Sequence, residues 1–527
     1  MRIIISLFLL CFLAACQLLS VKDDAQYLTV LHTNDNHGRF WHNENGEYGM
    51  AARKTLIDQL RNDALEQGHS VILLSGGDIN TGVPESDLQV AEPDFKGMSI
   101  IGYDAMAIGN HEFDNPLSVL DKQIKWSNFP LLSANIIDKE TNKPAYQAYT
   151  ILEKGQLKIA VIGLTTVDTA KIANPQYIGH LDFITPAVAT QPLVDMIKST
   201  YQPDVVVAVT HMGHYHDAKH GINAPGDVTL ARDLSPNSLD MIIGGHSQEP
   251  ICVDETGKQD PSFSPGKACW PDRQNGTWIM QAHEWGKYVG KAVFKIENGI
   301  KELLSYELVP VNLKDEQGNF ITNEITKDTS LYNFLLPYQE KGAEKLAGAV
   351  GNVDDFLDGR RDTVRFTQSK LADLIINAQT EAVGADFGII SGGGIRASIE
   401  KGDVNYKDIL KVHPFRNRVA YIDWQGPELV DYISVVGSFP ADAGAYLQYH
   451  KIDFSIENGL ANIKTINGKP FDINGIYRMS INSYNAAGGD GYPIITEKES
   501  YQNTDSTDAQ VLRAYIEKYS PIKTSNL

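Results

Sequence analysis

Gly109-Asn110-His111-Glu112-Phe113-Asp114 is the stretch on which the reading of this chain turns. The residues leading into it, Asp104-Ala-Met-Ala-Ile-Gly109, are mostly apolar and follow a turn signal at Gly102, which predicts a short buried strand. At its end stand an amide, an imidazole and, three residues on, a carboxylate. The amide can bind a hard metal ion, the imidazole can meet a substrate oxygen, and the carboxylate can orient that imidazole. Alone, the loop reads equally well as a polar cap on a strand, with Asn110 as a helix N-cap. Its neighbours along the chain decide between the two.

The same pattern recurs on both sides. A strand expected at residues 28–32 runs into Thr33-Asn34-Asp35-Asn36-His37-Gly38, and a helical pattern follows over residues 51–64. A buried strand at residues 71–75 leads to Gly76-Gly77-Asp78. Further strands are expected at residues 131–134, 159–164 and 205–210, the last leading straight into His211. Met241–Ile243 leads into Gly244-Gly245-His246-Ser247-Gln248. Strand after strand thus ends in metal-type ligands: Asp35 and His37, Asp78, Asn110, His211, then His246 and Gln248. In layered α/β domains the strand C-termini converge on the ligand crevice. A histidine after one strand is commonly just a satisfied polar residue. Repetition in register, with glycines that let the backbone approach closely, is not explained that way. The set mixes imidazole, carboxylate and amide without thiolate, which suits borderline or hard divalent ions. It is too large for one ion and suits two ions sharing a bridging carboxylate.

At 527 residues, 42% hydrophobic and 21% charged, the chain has the composition of a soluble globular protein of roughly two to four domains. A net charge of -20 without a compensating basic domain excludes nucleic acid as a partner. The same charge repels a phosphorylated substrate at long range, so any anion site must be made locally by metals or clustered arginines. Residues 1–15 read as a signal peptide: Arg2, then an apolar run over residues 3–13 too short to span a bilayer. Leu13-Ala14-Ala15-Cys16 resembles the bacterial lipobox, which implies a lipidated Cys16 as mature N-terminus and anchorage in the cell envelope, at the outer membrane. The rival is a plain secretory peptide with a soluble periplasmic product. Cys11 leaves with the signal. Cys252 and Cys269 lie in a Pro/Gly-rich stretch of an exported protein, where a disulfide is the default, worth about 3 kcal/mol in the chain-entropy model.

Residues 329–346 carry Leu331, Phe334, Leu335 and Tyr338 at helical spacing, and the character of the chain changes after them. Residues 347–527 read as a second α/β unit, with a strand at Phe387–Ser391 and a helix over residues 369–381. Arg361 and Arg365 stand four apart there. Ser391-Gly-Gly-Gly-Ile-Arg396 joins a glycine loop to an arginine, and Asn485-Ala-Ala-Gly-Gly-Asp490-Gly-Tyr492 forms a second such loop. Each alone is a turn or a solvated arginine.

Asp35-x-His37, Gly76-Gly77-Asp78, Gly109-Asn110-His111-Glu112, His211 and Gly245-His246-x-Gln248 resemble the calcineurin-like metallophosphoesterase family. Pro84-Glu-Ser-Asp-Leu88, Ala224-Pro-Gly-Asp227 and His283-Glu-Trp-Gly-Lys287 extend the likeness to its bacterial periplasmic 5'-nucleotidase/UDP-sugar hydrolase branch. The similarity covers essentially all of the chain after the signal. It implies an α/β fold: an N-terminal four-layer metallophosphoesterase domain, a two-sheet sandwich flanked by helices, and a separate C-terminal α/β nucleotide-binding domain. The expected divisions are a lipidated spacer at 16–26, the metal domain at 27–328, a linker helix at 329–346 and the substrate domain at 347–527.

Position by position, the resemblance makes Asp35, His37, Asp78 and Gln248 ligands of one ion, with Asp78 bridging to a second held by Asn110, His211 and His246. Zinc, manganese, cobalt and magnesium all tolerate parts of this set. It makes His111 and Asp114 the catalytic dyad. A metal-activated water would then attack phosphorus in line, with His111 stabilising the developing charge or the leaving oxygen and Asp114 favouring its cationic form. In the second half Phe415 and Tyr484 would sandwich the base, Arg361, Arg365 and Arg396 grip anionic groups, Asp490 hold the ribose and Asn417 touch the base. Two departures stand out. Tyr484 replaces a phenylalanine of the best-known relative, and Arg416 and Arg418 stand where that relative has small or apolar residues. Among other histidines, His214, His216 and His220 read as surface or supporting groups, and His32 as packed and hydrogen-bonded.

The expected activity is removal of the 5'-phosphate from nucleotides, with cleavage of nucleotide sugars beside it, by a monomer that scavenges nucleosides and phosphate outside the cytoplasm. The substrate would lie between the halves, with the helix around residues 331–345 as hinge. A cyclic-phosphodiesterase/3'-nucleotidase would share the metal half and differ in the second. A catalytically silent nucleotide-binding lipoprotein would need neither the full ligand set nor the dyad.

Overall fold

A computed structural model describes residues 25–216, 225–254 and 256–527. The expected signal, Cys16 and His220 lie outside the described residues. Two six-stranded sheets build the N-terminal half. The first runs, from edge to edge, Ile300–Pro310, Tyr288–Glu297, Gln26–Thr33, Ser70–Ser75, Ala105–Ala107 and Leu131–Leu132. The second runs Asp272–Gln274, Thr277–Met280, Met241–Ile243, Val205–His211, Leu157–Thr165 and Tyr149–Lys154. The central strands of both are parallel, so their C-terminal ends emerge on one side.

The side chains of Val205–His211 show how the layers form. Val205, Val207 and Val209 share a core with the first sheet, while Val206 and Ala208 pack with Val194 and Ile197 of helix Pro186–Tyr201. That is the period-two alternation of a strand covered on both faces, and it explains why the sequence reads as an unbroken apolar run. Each such valine contributes about 1.5–3 kcal/mol of burial. Helices Met50–Glu66 and Glu92–Ile101 add Leu56, Ile57, Phe95 and Met98 to the core of the first sheet.

Two expected strands are shorter than their apolar runs. The strand expected at residues 104–109 is confined to Ala105–Ala107, because the Asp104 carboxylate accepts from the Leu73 N–H at 2.9 Å and Gly109 already turns toward Glu112. Leu131–Leu132 ends where the Ser133 N–H leaves the sheet to donate to the Gln147 carbonyl at 2.9 Å. Cys252 and Cys269 form the expected disulfide. No helix among the described residues is long and apolar enough to cross a membrane.

Helix Thr329–Leu346 follows, its first turn capped by the Asp328 carboxylate, which accepts from the Leu331 N–H at 2.7 Å. It buries Leu331, Leu335 and Leu346, and Gly342 lies flat on Glu85, where a Cβ would come within 2.8 Å. The second half holds a five-stranded sheet in the order Leu447–His450, Phe387–Ser391, Ile476–Asn482, Arg418–Gln425, Gln502–Thr507, with apolar clusters of its own.

Candidate active site

The strand ends of both sheets meet at Asp78. It is 2% exposed, and its Oδ2 lies 2.8 Å from His211 Nε2, 3.9 Å from His37 Nε2 and 4.0 Å from His111 Nε2. Asp35, His37, Asp78, His246 and Gln248 all adopt left-handed backbone angles, with φ of 50°, 49°, 56°, 80° and 56°. Residues with a Cβ avoid this region, so the turns after the strands are held there by their surroundings. Glycine makes the approach possible: a Cβ on Gly76 would lie 2.2 Å from the Gly244 carbonyl oxygen, and one on Gly109 2.1 Å from Asp78 Oδ1.

The donor set fits divalent metal ions. His37 Nδ1 faces the Thr81 carbonyl at 2.9 Å and His211 Nδ1 the Gly76 carbonyl at 2.7 Å. Those carbonyls can accept the Nδ1–H of each ring and turn both Nε2 atoms toward Asp78, the arrangement that orients imidazoles for metal once Nε2 gives up its proton. Asn110 makes no side-chain cap on the short helix His111–Phe113; its Oδ1 is buried without a hydrogen-bond partner, as befits a ligand oxygen and not an N-cap. Asp35 Oδ1 stands 3.7 Å from His37 Nε2, and Asp35 Oδ2 accepts the His246 N–H at 3.0 Å. The Gln248 amide nitrogen is 2.7 Å from His37 Nε2, and a half-turn of the amide presents its oxygen there instead. His37, Asp78 and His111 form one group of ligand atoms within 4.8 Å, and Asp78, His211 and His246 another, with Asp78 common to both.

Burial opposes charge on Asp78, yet His211, His111 and His37 hold its carboxyl below the ordinary range. Burial likewise disfavours protonated His211, but Asp78 outweighs it and pushes the imidazole up to about 10. A cation bound there would displace that proton. His246, with burial and cationic His211 both against it, falls to about 4 and is neutral.

His111 stands beside this centre. Its Nδ1 is 2.6 Å from Asp114 Oδ2, which also accepts from Thr81 Oγ1 at 2.5 Å, and its backbone N–H donates to Asp78 Oδ1 at 2.9 Å. Burial works against the imidazolium, but Asp114 and Asp78 prevail and raise it to about 9, so it is a cation at neutral pH. A cation at that point can stabilise charge that develops on phosphoryl or leaving-group oxygen.

Two further residues have structural roles that the sequence does not assign. Glu112 is 1% exposed and accepts the N–H groups of Gly109 at 2.7 Å, Ile79 at 2.9 Å and Asp78 at 3.2 Å, clamping two ligand loops with one carboxylate. Arg53 is 1% exposed and donates to Asn36 Oδ1 at 2.7 Å, between Asp35 and His37; Asn36 in turn donates to Asp94 Oδ1 at 2.7 Å. Their only sequence signal was a charge inside a motif and a charge in a helix. His32 is packed as expected and held neutral by burial, its Nδ1 unbonded.

The second half reaches the same place from the other side. The Phe415 ring lies parallel to His111, 7° between planes and 6.1 Å between centroids, with the Arg396 guanidinium 5.5 Å over it. Among the described residues Phe415 makes no ring contact with Tyr484, whose hydroxyl donates to Asp490 Oδ1 at 3.0 Å and also lies 3.3 Å from the Lys171 carbonyl of the first half. Burial, then Arg361 and Arg396, lower Arg365 to about 10. Arg361 is exposed, 3.5 Å from Asp442, and Asn417 is buried. Arg416 donates to the Asp87 carbonyl at 3.2 Å and Arg418 to that of Thr504 at 3.2 Å. A cavity of about 10 Å³, lined by Thr81, Asp114, Phe415 and Arg416 among others, lies between the halves here.

Residues 28–250 match the calcineurin-like phosphoesterase family, and residues 349–497 the 5'-nucleotidase C-terminal domain. A Vibrio parahaemolyticus protein named 5'-nucleotidase is 55% identical over 507 residues, covering 95% of this chain and 90% of its own length. Protein UshA of Escherichia coli is 51% identical over 522 residues, covering 97% and 95%. The crystal structure of a 5'-nucleotidase precursor from Thermus thermophilus shares the fold with a TM-score of 0.71 at 26% identity, covering 93% of this chain and 96% of that one. Motif, geometry and likeness agree, and the chain belongs to the 5'-nucleotidase family, a calcineurin-like phosphoesterase domain followed by a 5'-nucleotidase C-terminal domain.

Proposed function

We propose that this chain is a metal-dependent 5'-nucleotidase that releases the 5'-phosphate of nucleotides, and that it also accepts nucleotide sugars. The observation that carries the reading is Asp78, a single buried carboxylate shared by two groups of ligand atoms, one of which includes His111 of a histidine–aspartate dyad. Asp35, His37, Asp78 and Gln248 would hold one divalent ion and Asp78, Asn110, His211 and His246 the other. Bound there, the pair would supply an activated water and neutralise phosphoryl oxygens. The rest falls to side chains. His111, kept cationic by Asp114, faces the leaving oxygen. Arg365 and Arg396 offer guanidinium groups to phosphate, and Phe415 and Tyr484 offer ring faces to the base.

The cavity at Phe415 is far smaller than a nucleotide, and in this reading the halves part to admit one. Helix Thr329–Leu346 joins them and serves as the hinge. We assign the first residues to export and Cys16 to lipid anchorage in the envelope, from the sequence pattern. The protein acts as a monomer in this reading.

The test is an assay of chelated protein against AMP, ATP, UDP-glucose and cyclic nucleotides, with zinc, manganese, cobalt or magnesium restored in turn. AMP hydrolysis that disappears with chelation and returns with metal is expected. Cleavage of cyclic nucleotides with AMP left intact, or full activity without metal, would overturn the reading.

A further inference from the structure

A cluster of ligand-type side chains outside the cleft has no part in the chemistry above. His214 and His216 lie on the segment that leaves strand Val205–His211, and Asp272 opens the edge strand Asp272–Gln274. One ligand atom of each lies within 4.8 Å of the others. His214 Nε2 is 2.8 Å from Asp272 Oδ2, and the His214 and His216 rings stand edge to face with centroids 4.9 Å apart. Asp272 is 2% exposed, whereas His216 lies at the surface, so the cluster has a buried floor and an open side.

We propose that His214, His216 and Asp272 form a further divalent-cation site that takes a borderline ion of the zinc type. Two imidazoles and a carboxylate are the donors that zinc prefers when no thiolate is present, and three protein ligands leave a fourth position for water. The carboxylate is already aimed. Its Oδ1 accepts the Arg273 N–H at 2.7 Å, and the Gln274 amide is shared between Oδ1 at 3.0 Å and Oδ2 at 3.1 Å, which fixes the carboxylate with Oδ2 toward His214. Tyr215, between the two histidines, turns into the interior, and residues two apart in extended chain share a side. Arg232 donates to the His216 carbonyl at 2.9 Å and to Gln274 Oε1 at 3.0 Å, fixing the backbone of the loop to the edge strand. The loop closed by the Cys252–Cys269 disulfide passes overhead at Gly257, where a Cβ would lie 3.4 Å from Asp272 Oδ1 and 3.5 Å from His216 Cε1.

A histidine–aspartate hydrogen bond alone would account for His214 and Asp272, but not for a second imidazole within ligand range of both. To bind, His214 presents a bare Nε2 with its ring proton on Nδ1. The ion would then fasten two segments, the loop after His211 and the edge strand, beneath the disulfide loop. The His214 N–H also donates to Ser247 Oγ at 3.1 Å, between His246 and Gln248, so the site braces the backbone that carries cleft residues.

The test is equilibrium dialysis of chelated full-length protein against zinc, with bound metal counted by atomic emission. His216→Ala, which alters a surface side chain, and Asp272→Asn are compared with wild type and with Asp78→Asn. Both His216→Ala and Asp272→Asn are expected to lose one equivalent, or to bind it at least ~10- to 100-fold more weakly. Wild-type zinc binding in either variant would overturn the proposal. Asp78→Asn reports on the cleft separately: unchanged zinc there counts against the cleft reading and leaves the loop site standing.

Discussion

The two halves of this molecule bring their functional side chains together in different ways. In the first, ligand-type residues leave the ends of parallel strands whose register is locked by ladder hydrogen bonds, and they converge on Asp78 within that half alone. In the second, Phe415 follows helix Tyr406–Val412 and Tyr484 sits in the short helix Ser483–Ala486. Phe415 rests on His111 of the first half, and the Tyr484 hydroxyl reaches its Lys171 carbonyl. Catalytic geometry is therefore a property of one half, whereas the binding geometry depends on how the halves stand. Rate and affinity should then respond separately to substitution.

The sharpest way to break that contrast is His111→Ala. His111 lies beside the metal-type ligands, with Nδ1 on Asp114 at 2.6 Å, its backbone N–H on Asp78 and its Nε2 4.0 Å from Asp78 Oδ2, beyond hydrogen-bond distance. Removal of the ring should leave bound metal unchanged and lower kcat for AMP by ~10²- to 10⁴-fold, the usual worth of a positioned proton or charge donor. Metal analysis and steady-state kinetics on one preparation check both. Near-normal turnover would remove His111 from the chemistry, and lost metal would make it a ligand.

The contrast also explains what could be read from the sequence. Residue type at a strand end is local information, so Met241–Ile243 and the glycine-histidine turn after it were legible, as were the apolar runs of both sheets. Even there the ends were lost: the strand at Ala105–Ala107 stops because Asp104 and Gly109 bond elsewhere, which no hydropathy pattern reports. Glu112 and Arg53 escaped notice for a related reason. A buried charge is recognised by its partners, and apart from Gly109 those lie outside the local motif, at Ile79 and Asp78 for Glu112 and at Asn36 for Arg53. Family likeness named Phe415 and Tyr484. It could not say that the Phe415 ring faces His111, because that contact spans more than 300 residues of chain and the line between the halves.

Phe415→Ala probes the other half. With its ring face offered to the base, its loss should raise KM for AMP by about 10- to 100-fold, the range of one base–aromatic stack. Metal content should not move, and kcat should change far less than in His111→Ala. A fall in kcat with KM unchanged would mean that the ring serves His111, on which it lies here, and not the nucleotide. The two halves would then no longer divide rate from affinity.

The smallest effect tests the finest point, the hydroxyl that distinguishes Tyr484 from phenylalanine. It donates to Asp490 Oδ1 at 3.0 Å and accepts the Asp490 N–H at 3.0 Å, at a residue whose φ of 57° lies in the left-handed region. Burial raises the Asp490 carboxyl, and the Tyr484 hydrogen bond acts against that rise, so the hydroxyl helps keep this acid able to accept a hydrogen bond. Tyr484→Phe retains the stacking face and removes only the hydroxyl. If Asp490 holds the ribose, KM for AMP should rise by about 2- to 10-fold, the net worth of one hydrogen bond, with kcat and metal content as in wild type. A 2'-deoxy or 3'-deoxy substrate should reveal the mechanism, because an analogue without the hydroxyl that Asp490 grips should bind wild type and variant alike. An equal penalty on AMP and on both deoxy analogues would instead show that the hydroxyl positions the ring itself, and that Asp490 is its support, not the sugar's.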